Sequence, residues 1–103
     1  MEKDTHITDI IFRVDTTRDF KGTVFAVFPH EVADLRGHVT TYQHVGQHSA
    51  GDYSECIRTS NGASEDEYAD LKKEMEGFGY NIKVVKQRNY EKYNTEYNRV
   101  RIL

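Results

Sequence analysis

Two short runs of this sequence, Ile10-Ile-Phe-Arg-Val14 and Thr23-Val-Phe-Ala-Val-Phe28, are apolar almost without interruption. A strand with one face in water alternates apolar and polar residues, so runs that fail to alternate predict strands covered on both faces. The first run is bounded by Asp9 and the polar stretch Asp15-Thr-Thr-Arg-Asp19, the second by Gly22 and Pro29. Proline has no N–H to give to a ladder, so the second strand is expected to stop there, in a hairpin with the first. Parity places Phe12 and Phe25 on one face and Val24 and Phe28 on the other. Both faces then need cover.

One cover is marked plainly. Ser64 followed by Glu67 is a capping box, in which the serine oxygen and the glutamate carboxylate satisfy each other's backbone N–H groups. Acids fill the first turn, where the helix dipole favours them. Tyr68, Leu71 and Met75 follow at helical spacing, with Phe78 one turn on and Gly77 and Gly79 to end the helix. This stripe is expected to lie on the sheet.

Around these elements, residues 30 to 37 read as a loop with one helical turn, residues 39 to 44 as a third strand, 45 to 52 as a loop, and 53 to 59 as a fourth strand. Ile82-Lys-Val-Val85 reads as a fifth strand beside a central one. The segment 89–103 admits two readings. Tyr90, Tyr93, Tyr97 and Val100 form a helical stripe, while three Asn and a Thr weaken it; a second helix is favoured over a loose tail. The expected fold is therefore α+β: a mainly antiparallel sheet of four to five strands in the order β-β-β-β-α-β, with one amphipathic helix on one face. Residues 1–88 form one domain in this reading, with 89–103 as a tail or short helix.

At 103 residues the chain has room for one hydrophobic core. No apolar run approaches the roughly 20 residues of a membrane helix, and Met1-Glu-Lys-Asp-Thr-His6 has no secretory apolar stretch. A cytoplasmic address without membrane partners is expected. Cys56 is the only cysteine, so no internal disulfide and no cysteine-based zinc site can form; read on a strand, it is a small buried hydrophobe. The net charge of −3 argues against nucleic acid as a partner of the whole molecule. Its distribution is uneven, with −4 over residues 64 to 76 and +4 over residues 83 to 101. Such blocks are ordinarily solvated faces.

The densest set of chemically capable side chains is Tyr42-Gln-His-Val-Gly-Gln-His-Ser-Ala-Gly-Asp-Tyr53, giving Tyr42, His44, Gln47, His48, Ser49, Asp52 and Tyr53 as candidate binding residues. His44 and His48 have the spacing of a helical metal pair, but Gly46 argues against a helix, and a site would need Asp52, His30 or His38 as well. Histidine could act as base toward Ser49, yet no G-x-S-x-G elbow surrounds that serine. The favoured reading is structural: small residues turn the backbone and imidazoles satisfy carbonyls. No metal and no cofactor is expected. Gly77-Phe-Gly79 follows a helix where a dinucleotide fingerprint would precede one. Lys83, Lys86 and Arg88 beside Tyr90 and Tyr93 could form a basic aromatic patch for single strands; an edge strand guarded by lysines is favoured.

Ile10-Ile-Phe-Arg, Val24-Phe-Ala-Val-Phe-Pro, the Tyr42 to Tyr53 stretch, Ala63-Ser-Glu-Asp-Glu-Tyr-Ala-Asp-Leu and Gly79-Tyr-Asn-Ile-Lys-Val-Val together resemble a family of small proteins of bacteria, phages and mobile elements. The resemblance spans roughly residues 8 to 88 and implies a phage or mobile-element context without a mechanism. The leading functional expectation is a non-enzymatic accessory module that binds another macromolecule, a protein, through the 44 to 53 loop or an open sheet face. A two-fold homodimer is the alternative cover for that face. Two other readings compete: a small enzyme or metal-binding protein using His44, His48 and Asp52, and nucleic-acid binding through the basic C-terminal end.

Overall fold

A computed structural model describes residues 6–43 and 47–102. It is an α+β fold in which strands β1 (Thr8–Asp15), β2 (Val24–Val32), β3 (Val39–Gln43) and β4 (Gln47–Gly51) run antiparallel in succession. A short helix α1 (Tyr53–Arg58), strand β5 (Ser60–Gly62), helix α2 (Glu65–Gly77), strand β6 (Ile82–Val84) and helix α3 (Tyr90–Ile102) complete it. The sheet order is β4-β3-β2-β1-β5, and β6 pairs in parallel with the start of β1.

The β1–β2 hairpin forms as its apolar runs predict, with Phe12 opposite Ala26 and Val14 opposite Val24. That register corrects the expected parity. Phe12 shares a face with Val24 and Phe28, while Phe25 lies on the other face with Ile11, Val27 and Val39. A hairpin register is set by pairing across the turn, and one residue of slip exchanges the faces.

Strand β2 also continues beyond its expected stop, running through Pro29 to Val32. The ladder to β3 shifts register between Val27 and Val32, so the missing proline N–H falls where regular pairing is interrupted. The expected helical turn in residues 30 to 37 is instead the end of β2 and a tight turn. Asp34 holds this turn by accepting from the backbone N–H groups of Arg36 and His38.

The largest correction concerns residues 45 to 59. The expected loop contains strand β4, and the expected fourth strand is helix α1. Tyr53, Cys56 and Ile57 stand at i, i+3 and i+4, a helical spacing. Asp52 starts the helix by accepting from the Glu55 N–H at 2.9 Å. Ser49, Ala50 and Gly51 have little strand propensity of their own, and pairing with β3 makes them a strand.

Helix α2 follows the expectation. Both arms of its capping box are present, Ser64 N–H to Glu67 Oε1 at 2.9 Å and Glu67 N–H to Ser64 Oγ at 3.3 Å. Leu71 and Met75 are buried, and Tyr68 stacks on Phe12 with ring centroids 4.6 Å apart. Phe78, expected to extend the stripe, is instead 58% exposed and touches Tyr42 by its edge. Gly79 (φ +102°) turns the chain after the helix, while Gly77, expected to help end it, is instead its last helical residue.

The second face has its cover within the chain. Tyr53 and Cys56 of α1, Val85, and Tyr93 of α3 pack on Ile11, Phe25, Val27 and Val39. The basic-end segment 90–102 is the favoured second helix, and with α1 in place of a strand three helices flank the sheet among the described residues. Among the described residues, no helix is long and apolar enough to cross a membrane.

Candidate functional site

The two faces of the sheet divide the sequence candidates. Tyr42, fully buried on the α2 face, directly opposes His48 across the β3–β4 ladder, and their ring centroids are 4.7 Å apart. Its hydroxyl donates to Glu74. His48 Nε2 lies 3.1 Å from the Tyr80 hydroxyl. Ser49 is exposed, and its carbonyl accepts from the Thr41 hydroxyl at 3.4 Å. Asp52 is committed to capping α1, and Tyr53 packs beneath Arg88 on the opposite side of the sheet. Gln47 opens β4, and His44 lies outside the described residues. The expected set is thus parted. Among the described residues, no three His, Cys, Asp or Glu side chains are grouped as a metal would require.

Other partners gather beside His48. A groove of about 1040 Å³ runs between the start of β1, residues 28 to 31 of β2, the turn at residues 78 to 81 and one side of α3. At one end Tyr80 carries His48, with Phe28 meeting the Tyr80 ring edge-on at 5.5 Å. Glu31 is solvent-exposed as a residue, yet its carboxyl is hydrogen-bonded by Thr40 and partly screened from water. That desolvation raises its pKa, and the imidazoles of His48 and His6 pull the other way. Burial likewise raises the Tyr80 pKa, with Glu31 adding to it.

At the other end His30 is held by both nitrogens. Nε2 accepts the Asn89 N–H at 2.8 Å, which fixes the proton on Nδ1, and Nδ1 donates to Asp9 Oδ2 at 3.1 Å. Lys92 Nζ donates to the same oxygen at 3.2 Å. The ring therefore ties β1, β2 and the start of α3 together as a neutral imidazole. Burial lowers its pKa, Lys92 and Arg88 lower it further, and Asp9 opposes them.

The neutral form stabilises the fold above the ordinary histidine pKa of about 6.5. That contribution is lost as pH falls through the lowered folded value, because a protonated Nε2 cannot accept the Asn89 N–H. Thermal melts from about pH 7 down to 5 should therefore decline more steeply in wild type than in His30→Gln. Parallel curves would show that the ring does not carry the effect.

Cys56, expected on a strand, sits half-buried on α1; burial, with Asp52 and Glu55 nearby, pushes its thiol pKa up, away from the thiolate that reacts. Tyr80, Glu31, Asp9 and Lys92 carry no mark in the sequence that would single them out. The hydrogen bonds of Tyr80, Asp9 and Lys92 span 21 to 83 residues, and Glu31 meets Thr40 and His48 from other strands; neither periodicity nor motif spacing reports such pairings.

No family model matches the chain, and neither does any curated protein or solved structure.

Proposed function

We propose that this protein is a non-enzymatic module that binds another polypeptide, pairing an extended segment of its partner with the free edge of β4. The carrying observation is the position and composition of that strand. β4 ends the sheet order with β3 as its one ladder neighbour among the described residues, and Gln47-His-Ser-Ala-Gly51 contains no Lys, acid or Pro. Sheet edges are ordinarily blunted by such residues, and an unblunted edge is a template for strand addition. His48 and Ala50 would flank the incoming side chains on the α2 face and Ser49 on the other. Exposed Phe78 and Ile7 lie along the adjoining groove and offer apolar contact. A cytoplasmic phage or mobile-element setting accords with this reading.

The test is affinity capture from host-cell extract with wild type beside a Ser49→Lys/Ala50→Lys variant whose melting curve shows it folded. A partner retained by wild type, lost by the variant and slowing β4 amide exchange supports strand addition. Equal capture by both moves the contact elsewhere. A second copy of the chain could take the same edge about a two-fold axis, and sedimentation of the two proteins would report it.

The enzymatic reading now draws on His48, Tyr80 and Glu31 in place of Asp52, which is spent on α1. Capture that yields no partner would move weight toward it.

A further inference from the structure

Arg88 presents an unmet requirement on the opposite side of the sheet from that edge. Its guanidinium carbon lies 3.9 Å above the Tyr53 ring and 3.6 Å from the centre of the Tyr93 ring. Nε donates to the Pro29 carbonyl at 3.2 Å. Among the described residues the buried Nη2 has no hydrogen-bond partner and no carboxylate forms an ion pair with the group. Tyrosine faces compensate part of a cation's lost hydration. A buried N–H that bonds to nothing still costs about 1–3 kcal/mol; closed to solvent, Nη2 is not itself a ligand contact, and Arg88 meets the adjoining recess with the rest of its side chain.

The surroundings supply what an anion would need. Arg88 helps line a recess of about 600 Å³ between α1 and the connection from β6 to α3. Arg58, Lys86 and the Ser54 hydroxyl line it too, and among the described residues no acidic side chain does. Arg58 is paired with Glu55 at 2.5 Å, but both side chains are exposed, and such pairs are weak enough to exchange for a better anion. Tyr90, 65% exposed, stands at the rim with its ring 5.9 Å from the Arg88 guanidinium carbon. Three cations at one mouth suit a dianion better than a single carboxylate, and guanidinium forks suit phosphoryl oxygens. The exposed ring suits a flat organic group. The volume falls within the roughly 300–1,000 Å³ of small-ligand sites.

We propose that this recess binds a phosphomonoester carrying an aromatic base, a nucleoside monophosphate in chemical class. Arg88, Lys86 and Arg58 hold its phosphoryl oxygens, Ser54 donates to one of them, and Tyr90 flanks the base. The site is independent of the β4 edge and would stand if strand addition failed.

The test is titration of the full chain with adenosine 5′-monophosphate, and separately with adenosine, followed by backbone amide and arginine Nε–H resonances. The nucleotide should give saturable shifts at Arg88 Nε–H, Ser54 and Lys86, and adenosine should give none. Arg88 also docks α3, so its own replacement could unfold the site. The Arg58→Gln/Lys86→Gln variant leaves that packing in place and should weaken binding at least about tenfold. Absence of shifts at millimolar nucleotide, equal shifts with adenosine, or unchanged affinity in the variant would each overturn the assignment. So would a single-stranded oligonucleotide that binds with a steep salt dependence where the mononucleotide does not.

Discussion

Phe28→Ala should remove about 3–5 kcal/mol of stability, the ordinary cost of emptying a buried aromatic site. Phe28 is 1% exposed in the centre of β2, within the core that α2 closes, and its ring meets Tyr80 at 5.5 Å and His48 at 6.1 Å. A domain of this size has roughly 5–15 kcal/mol in total, so the variant is expected near the edge of folding. Urea unfolding measures the loss. Phe20→Ala is the control: that ring is 57% exposed in the turn between β1 and β2, and its removal should change stability by no more than about 0.5 kcal/mol. A loss below about 1 kcal/mol at Phe28 would contradict the core described above. A second consequence concerns the surface. Without the Phe28 ring beneath them, His48 and Tyr80 lose a shared support, and their resonances should broaden or shift even where the variant stays folded.

Gly37→Ala should cost about 2–3 kcal/mol, from two separable sources. The backbone there has φ +82°, which a residue with a Cβ adopts at a cost of about 1–2 kcal/mol. The added methyl would also collide with the Tyr93 hydroxyl and press on the Tyr97 ring. That hydroxyl donates to the Gly37 carbonyl at 2.7 Å, and Tyr97 donates to the Leu35 carbonyl at 3.0 Å. Losing the Tyr93 bond adds about 1 kcal/mol. Gly22→Ala separates the two, because Gly22 has φ +90° with open space around it. Only the conformational part should appear there. Faster amide exchange along α3 in the Gly37 variant, and not in the Gly22 variant, would locate the difference at the helix. Equal losses would mean that α3 does not press on this turn.

The parts of the fold legible in the sequence are those held by near neighbours. The α2 capping box spans three residues, and its stripe of Tyr68, Leu71 and Met75 spans two turns. The unbroken apolar runs of β1 and β2 declared that both sheet faces would be covered. Tyr53, Cys56 and Ile57 also carried a helical spacing, but six residues without a visible stop signal read as easily as a strand. β4 was the hardest element to see. Gln47 to Gly51 owe their extended form to β3, and nothing in small polar residues announces that debt.

For the candidate site, composition pointed to the Tyr42 to Tyr53 segment, and two of its members, Tyr42 and His48, do meet across a ladder. Register then parted them from Asp52 and Tyr53. Tyr80, Glu31 and the Asp9–His30–Lys92 group joined the surface from other elements.

Local chemistry along the chain set which segments are apolar, where α2 begins and that the sheet would be buried on two sides, because helix caps and hydrophobic periodicity act over a few residues. Tertiary structure alone decided which face Phe12 and Phe25 occupy, that α1 and α3 close the second face, and that His30 is a neutral clasp. Those outcomes depend on strand register and on hydrogen bonds between residues tens of positions apart, and such pairings are chosen only when the whole chain packs.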